Sequence, residues 1–482
     1  MLRVALAVVL GLVALSAFLS VNIFPIVGND SVLYLDHSQN LSGGGWVEYG
    51  YRQFGYPLVL AVNRFFANAL NADALLSMAM LQRLLLAAGA VLAWRFWRWW
   101  SLPLIAFLVS AETLAHANFI LTESLAMPLA VLLVFPTILC IEILQRDEDG
   151  SERRRLMVYG AIVAAGVLVM YSLRFTFAVF AAIPLVLAIQ AWRTPHRRLM
   201  LWVLGLSVSV IAVIGVLTSL ENQREHGVLT PTASGNAVRY YFAWQQVFEV
   251  HPENPHDDDL ARFYDRGQVH DFSRGVQAQD DAAYDAEIEA MLEAAGIPVF
   301  GSKVQSFWYS LIGGRLDDLE PAVQRTIDAQ RLEVDPLIYL NQYAMRQGRE
   351  RFVNEYNDGM PVGAVITDPV GMPSPLPSAR DLASWMVPIS LVVMAIGLAF
   401  PSTRPLSAIG LIVVLAFALG VGWLRADNFR FLITTSAFSI AAGSGVLAAL
   451  MSGVWRGDRG SDEASSGDPV ESDQGEDRVP AS

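Results

Sequence analysis

The sequence predicts an all-α polytopic membrane protein with about ten transmembrane helices, each about 20 apolar residues long, the length that crosses the hydrocarbon core of a bilayer. Composition is the first reason, because 54% of the 482 residues are hydrophobic, 16% are charged and the mean hydropathy is +0.41. A soluble domain carries about 25% charged residues. The net charge of −13 argues against a nucleic-acid partner. The single cysteine, Cys140, excludes an internal disulfide framework.

Apolar runs along the chain give the predicted spans. The first run, 4–27, is interpreted as an uncleaved span rather than a signal peptide, because it is long and has no clear small-residue cleavage site. The shorter segment 58–70 is predicted to be an amphipathic helix lying in the membrane interface. The other predicted spans are 75–94, 101–115, 121–144, 157–173, 175–192, 199–219, 382–400, 407–424 and 430–452.

Arginine placement predicts the side of the membrane that each connection faces. Cytoplasmic connections carry the excess of Lys and Arg. With the N-terminus inside, every predicted inner segment carries at least one arginine: Arg3; Arg95 and Arg98; Arg146 and Arg153 to Arg155; Arg193, Arg197 and Arg198; Arg404; Arg456 and Arg459. We therefore expect a protein of the cytoplasmic (inner) membrane with both termini in the cytoplasm.

The chain is expected to divide into two membrane modules and two other parts. Residues 1–220 hold spans one to seven and the first outer loop, 28–57, and residues 382–455 hold the last three spans. Between them, 221–381 carries 26 acidic and 13 basic residues and is predicted to be a mainly helical, soluble extracytoplasmic domain. Helices are predicted there near 280–296 and 316–332, and the acidic tail 456–482 is predicted to be a disordered cytoplasmic segment.

Two acidic residues are candidates for chemistry near the outer face. Asp30 follows the first span, where a carboxylate can accept a proton from a substrate hydroxyl, or can instead cap a helix that starts at Ser31. Glu123 lies at membrane depth, where an ionisable side chain is expensive and therefore a functional candidate. The structural alternative for Glu123 is a first-turn acid of the helix that follows Thr122.

Isolated arginines at the outer ends of spans form a third group. Arg174 separates the runs 157–173 and 175–192, and Arg425 and Arg430 lie between the last two spans. Guanidinium groups at an interface suit phosphate. Anchoring to lipid headgroups is the alternative.

Taken together, these motifs resemble the GT-C glycosyltransferases, such as protein mannosyltransferases and aminoarabinose transferases. The segment 226–238 also resembles the glycine–serine stretch that these enzymes often carry, and the similarity covers most of 1–240 and 420–450. Phe175 replaces the proline that often follows the family's outer arginine. The residues that carry the resemblance are Asp30-Ser31-Val32-Leu33-Tyr34-Leu35, Gly55-Tyr56-Pro57, Leu121-Thr122-Glu123, Arg174 and Arg430-Phe431.

The resemblance implies a GT-C-like fold and an inverting transfer of a sugar from a polyprenyl-phosphate donor to an envelope glycan, lipid or protein. Asp30 would deprotonate or orient the acceptor hydroxyl, and Glu123 would hold the acceptor or a divalent metal. The donor phosphate would be bound by Arg174 and Arg430, with Arg425 behind them. Candidates for substrate binding are Tyr34, Asp36, His37 and Tyr56. No cofactor is assigned, although Asp30, Asp36, His37 and Glu123 together would make an oxygen-rich site for a divalent metal.

Other functions stay open at this point. An O-antigen ligase or polymerase would rely on loop residues such as Arg239, His251 and His256. A transporter would place broken or charged helices at the midplane in repeated halves, whereas the ionisable residues here cluster towards one face. A structural membrane protein would use its acidic domain to dock a partner.

Overall fold

The computed structural model describes residues 29–43, 53–226, 281–294, 299–311, 379–424 and 429–457, with Pro25, Val27, Leu229, Tyr240, Ala243 and Gly296. The regular structure of these residues is α-helical, with short 3-10 segments at Arg98–Ser101, Phe175–Ala181 and Ala191–Arg193. The described α-helices are α1 Asn29–Ser42, α2 Gly55–Ala69, α3 Ala74–Trp97, α4 Leu102–Leu108, α5 Ala111–Asn118, α6 Thr122–Arg146, α7 Arg153–Leu173, α8 Ala182–Gln190, α9 Arg197–His226, α10 Asp281–Ala294, α11 Val299–Leu311, α12 Ala379–Gly397, α13 Arg404–Leu424 and α14 Phe429–Gly457.

The described helices confirm an all-α polytopic membrane protein. The apolar helix Asp381–Gly397 is shorter than the segments of spanning length given below. The predicted first span, 4–27, lies outside the described residues. The total number of spans therefore stays a prediction. Within the described ranges, seven segments are long and apolar enough to cross a membrane: Ala74–Leu108, Thr122–Arg146, Arg153–Leu173, Phe175–Arg193, Arg197–Arg224, Arg404–Trp423 and Leu432–Ser452.

Helix directions follow from contacts between helices. A Cβ added at Gly445 would lie 3.2 Å from Leu406, and one at Gly410 would lie 3.4 Å from Ala442, so α13 and α14 are antiparallel. The Gln145 side chain donates to the carbonyl oxygens of Pro401 and Ser402, at 3.2 and 3.1 Å, which places the end of α6 beside the start of α13. Hence α6 and α14 run in the same direction.

The two ends of the bundle differ in charge. His196, just before α9, is hydrogen-bonded to Asp147, just after α6, so these two connections share one end. That arginine-rich end collects Arg146, Arg153, Arg154, Arg155, Arg197, Arg198 and Arg404. We call the opposite end, where α6 and α14 begin, the outer end, because the arginine pattern predicts that it faces the exterior.

The predicted span 101–115 is two short helices rather than one. α4 ends at Leu108, and Ser110 caps α5, accepting a hydrogen bond from the Thr113 N–H at 3.3 Å. At about 1.5 Å per residue, neither helix can cross a bilayer alone. Together, α4 and α5 bring the chain back towards the outer end, where α3 begins, before α6 starts.

The amphipathic helix predicted at 58–70 is observed as α2. Its outward face carries exposed apolar side chains, including Phe65 and Phe66. Asn63 donates to the Ala74 carbonyl at 2.7 Å and ties α2 to the start of α3. At the other end of α2, a Cβ on Gly55 would overlap Ser172, so α2 crosses α7 in direct backbone contact.

The last described helix occupies the centre of the bundle. In α14, 89% of an 18-residue apolar stretch within Leu432–Ser452 is buried, the highest share among the described spans. Small residues permit this approach, because a Cβ on Gly443 would meet Ser390 of α12 at 2.6 Å. α6 and α12 flank it and complete the core.

The predicted extracytoplasmic domain 221–381 is described only in part. The helix predicted near 280–296 is observed as α10, and Gly296 follows it with a φ of 70°, a conformation that favours glycine at a helix end. The helix predicted at 316–332 and the tail 456–482 lie outside the described residues, apart from the last two residues of α14.

Candidate active site

Glu123 lies in the first turn of α6, at the outer end of the bundle. The Arg174 guanidinium donates from Nη1 to its Oε1, and the Thr122 hydroxyl donates to its Oε2 at 2.8 Å. The side chain of Glu123 is only 2% exposed. A buried carboxylate is expensive at membrane depth, and the adjacent cation and the N-terminus of α6 both stabilise it.

Arg174 reaches Glu123 because the chain is extended at this residue. Its φ of −157° and ψ of 133° end α7 after Leu173, before the 3-10 helix that begins at Phe175. The side chain is 23% exposed, so the guanidinium lies between the buried carboxylate and the surface. The pattern at 157–192 thus predicts the break correctly, but it does not predict that Arg174 pairs with Glu123.

A chain of polar contacts continues from Glu123 to the first outer loop. The Tyr34 and Thr122 hydroxyls are 3.3 Å apart. The Tyr34 ring packs edge-on against Tyr56, with centroids 5.2 Å apart, and both rings are buried. The Tyr56 hydroxyl donates to Gln82 Oε1 at 3.2 Å. The structure therefore brings together four residues that the sequence singled out separately, Tyr34, Tyr56, Glu123 and Arg174.

Gln82 and Arg83 hold the connection that leads to Glu123. Gln82 Nε2 donates to the carbonyl oxygens of Ala117 and Phe119, at 2.8 and 3.0 Å. Arg83 Nε donates to Asn118 Oδ1 at 2.7 Å, and the Arg83 side chain is buried. Two neighbouring residues of α3 thus fix three consecutive residues at the end of α5, shortly before α6 starts.

The loop carboxylates occupy different positions on α1. Asp30 lies in the first turn of a helix that begins at Asn29, two residues before the expected start at Ser31, so Asp30 is inside the helix and is not its cap. Tyr34 follows Asp30 by four positions, which puts both on one face of α1. Asp36 is half-buried, and burial raises the pKa of its carboxyl. His37 is buried.

Arg430 is the second residue of α14 and lies at the outer end. α6 and α14 touch where a Cβ on Gly445 would be 3.3 Å from Ile138. Glu123 and Arg430 each lie fifteen residues before that contact, about 22 Å along the two parallel helices. Their backbones are therefore at a similar level on neighbouring helices. Arg425 lies outside the described residues.

Within the described ranges, no group of three or more His, Cys, Asp and Glu side chains could hold a metal ion. The side chain of Asp30, which belonged to the expected oxygen-rich set, is not among those described.

Sequence reasoning gave no role to four members of this network: Thr122, Gln82, Arg83 and Asn118. The signal for two of them is present, because Gln82 and Arg83 interrupt the apolar run 75–94, and polar groups inside a span are expected to have partners. Thr122 stands in the L-T-E motif beside Glu123. Asn118 has no local signal, since its role depends on how α5 packs against α3.

Comparison with known proteins gives two solved structures. No protein-family model matches the sequence, and no curated protein matches it. The crystal structure of ArnT from Cupriavidus metallidurans in the apo state is 16% identical, with a TM-score of 0.31 over 90% of this chain and 77% of that chain. The structure of the same protein bound to undecaprenyl phosphate has the same identity and TM-score, over 97% of this chain and 81% of that chain. At this level the likeness gives no residue a role.

Proposed function

We propose that this chain is an inverting GT-C-type glycosyltransferase, which moves a sugar from a polyprenyl-phosphate donor to an envelope glycan, lipid or protein at the outer face of the cytoplasmic membrane. The observation that carries this proposal is the convergence of Tyr34, Glu123 and Arg174 at one end of the bundle. These residues come from three of the motifs that resemble the family. Arg430, from a further motif, lies at a similar level on α14, which supports including it in the site.

Charge on the phosphate is the main task of such a site. The bond from the sugar C1 to the phosphate oxygen breaks with its electron pair, so the leaving phosphate gains a negative charge. Cationic donors aimed at that charge lower the barrier. We assign this role to Arg174 and Arg430, with Arg425 nearby in sequence. A guanidinium carries five N–H donors, so pairing with Glu123 orients Arg174 and is compatible with a second, anionic partner.

The acceptor hydroxyl needs a base. Its oxygen attacks the sugar C1 on the face opposite the phosphate, its proton passes to the Asp30 carboxylate, and the configuration at C1 inverts. The place of Asp30, one turn before Tyr34 on α1, supports this role, because Tyr34 contacts Thr122 beside Glu123. Glu123 orients Arg174 and lines the acceptor side of the site.

Tyr34 and Tyr56 are assigned a positioning role. Both rings are buried, and their hydroxyls contact Thr122 and Gln82. Such side chains hold α1 and α2 against α3 and α6. Asp36 and His37 stay candidates for contact with the sugar, and the half-buried Asp36 is the more accessible of the two.

The experiment is a donor assay on the purified full chain in lipid nanodiscs. Polyprenyl-phosphate hexoses and pentoses are added one at a time together with an extract of envelope glycans, lipids and proteins as acceptor, and release of free polyprenyl phosphate is measured. We expect at least one donor to be consumed by wild type and by Glu142→Gln, a change at the arginine-rich end of α6. Failure of every donor to bind or to turn over would overturn the assignment.

Reporter fusions at Asp258 and in the tail test the topology. If both fusions report the same compartment, the predicted topology is wrong.

A further inference from the structure

Helix α11 packs along a membrane-spanning helix, although it belongs to the segment predicted to be a soluble domain. A Cβ on Gly422 of α13 would lie 2.9 Å from the Lys303 carbonyl oxygen and 3.0 Å from Phe307 Cβ. Further along, Leu311 packs against Val414 and Ala418. The two helices are therefore antiparallel neighbours over the length of α11.

These contacts measure how deep α11 goes. Gly422 lies near the outer end of α13, which spans Arg404–Leu424, and Val414 lies at its middle. Leu311 packs beside Ala418 and Val414, which lie four and eight residues of α13 below Gly422, about 6–12 Å at 1.5 Å per residue. Half of a hydrocarbon core is about 15 Å thick, so Leu311 lies inside the outer leaflet.

Helix α12, the next described helix, begins on the outer side. α12 runs parallel to α14, because Ser390 faces Gly443 and Gly397 faces Val446, so Ala379 begins α12 at the outer end. Directly after α11 the sequence reads IGGRLDDLE (312–320), with four charges that are too costly to cross a membrane. At 13 residues, α11 is also too short to cross the membrane, and a length of about 10–14 residues is found in buried core, re-entrant and interfacial segments.

The outward surface of α11 suits lipid. Trp308 is 56% exposed, and on the neighbouring helix α13 Leu419 is 64% exposed. The ammonium group of Lys303 lies 4.3 Å from the centroid of the Trp423 ring. An amphipathic cation over an aromatic ring at the outer end is the arrangement expected at the headgroup level.

We propose that α11 is a re-entrant helix embedded in the outer leaflet, with its Trp308 face in contact with lipid acyl chains and Lys303 at the headgroups. This helix anchors the segment 221–381 to the membrane beside the outer end of α13. The inference rests on packing and depth alone, and it holds or fails independently of the proposed glycosyl transfer.

Cysteine accessibility tests the depth. In a Cys140→Ala background, single cysteines are placed by Trp308→Cys on α11, Leu419→Cys on the exposed face of α13 and Glu289→Cys on the exposed face of α10. Proteoliposomes take up a membrane-impermeant maleimide by freeze–thaw, so both faces meet it. We expect the cysteines at 308 and 419 to react at least about tenfold more slowly than the one at 289, because thiols in the hydrocarbon core meet no water. Equal rates at 308 and 289 would overturn the inference.

A second measurement separates lipid from protein cover. A nitroxide on each cysteine is relaxed by dissolved oxygen in the hydrocarbon core and by a water-soluble nickel complex outside it. At 308 we expect strong oxygen relaxation and weak nickel relaxation, as at 419. Weak relaxation by both would mean that protein covers Trp308, and this too would overturn the inference. If Trp308→Cys does not accumulate, Val304→Cys, one turn earlier, takes its place with the same expectation.

Discussion

The Arg174 guanidinium donates to the Glu123 carboxylate and so joins the end of α7 to the start of α6, although the two residues are 51 positions apart. Removing one partner of a buried ion pair costs about 3–5 kcal/mol, and the cost is smaller here because Arg174 is 23% exposed. We therefore expect Glu123→Gln and Arg174→Gln each to lower the thermal unfolding midpoint. The double variant should lose less than the sum of the two, whereas strictly additive losses would contradict a direct interaction. Glu142→Gln on the same helix should stay near wild type.

Asp30 is the proposed base. Asp30→Asn should reduce turnover by about 10²-fold or more, the usual worth of a positioned base, with unchanged elution on size exclusion. Asp36→Asn is the matched control on the same helix and should cost less. Full activity of Asp30→Asn would mean that Asp30 is not the base and has only a structural role in the first turn of α1.

The donor phosphate should distinguish arginine from lysine. Arg174→Lys and Arg430→Lys keep the charge but lose the bidentate fork, so the KM for the donor should rise for both. The control is Arg154→Lys, at the exposed start of α7 at the arginine-rich end. Unchanged donor KM in both outer variants would rule out the shared phosphate site.

Gln82 should matter more than its place in an apolar run indicates. Gln82→Leu leaves the buried Tyr56 hydroxyl and the Ala117 and Phe119 carbonyl oxygens without their partner, at about 1–3 kcal/mol for each group left unpaired. We expect a clearly lower unfolding midpoint. Gln190→Leu is the control, because the Gln190 side-chain oxygen is buried and has no hydrogen-bond partner in the described part of the chain. Equal effects of the two changes would argue that the hydrogen bonds of Gln82 to Ala117 and Phe119 do not stabilise the protein.

Asp147 should stabilise the arginine-rich end over a wide pH range. Burial alone would raise the pKa of its carboxyl, but hydrogen bonds, led by the Glu152 backbone N–H and including His196, hold the pKa below its ordinary value. For a carboxyl with a lowered folded pKa, the stabilisation is present above the unfolded pKa, about 3.9, and is lost only as the pH falls through the folded pKa. Asp147→Asn should therefore lower the unfolding midpoint, and the gap to wild type should not diminish between pH 8 and pH 5. The exposed Glu148→Gln should show no such gap.

The bundle is largely predictable from sequence because length and hydropathy act locally. Runs such as 121–144 and 157–173 correspond to α6 and α7, and arginine placement correctly gathers Arg146 and Arg404 at one end. The break at Ser110 is not predicted, because the apolar residues of 101–115 outweigh the polar Ser110, Glu112 and Thr113 in the hydropathy of the run. The serine is a favoured N-cap residue, so a local signal for the break is present.

The candidate site is harder to predict because its contacts depend on packing between helices. Glu123 reaches Arg174 because α6 and α7 approach closely, with a Cβ on Gly166 only 2.6 Å from Leu133. No local pattern encodes that approach. Similarly, Gln82 and Arg83 are visible as polar interruptions of a span, but their partners on α5 follow from the fold.

The central place of α14 also sets an order for assembly in the membrane. The ribosome makes this helix after every other described helix, yet it fills the space between α6 and α12 and has the highest buried share. Before Phe429 and the following residues are inserted, the Ser390 face of α12 meets lipid instead of Gly443, and small-residue surfaces of this kind associate closely with other helices. Arg430 likewise reaches the outer end only with this final segment. A nascent chain thus holds the Glu123–Arg174 pair early, but the described bundle closes only when α14 arrives.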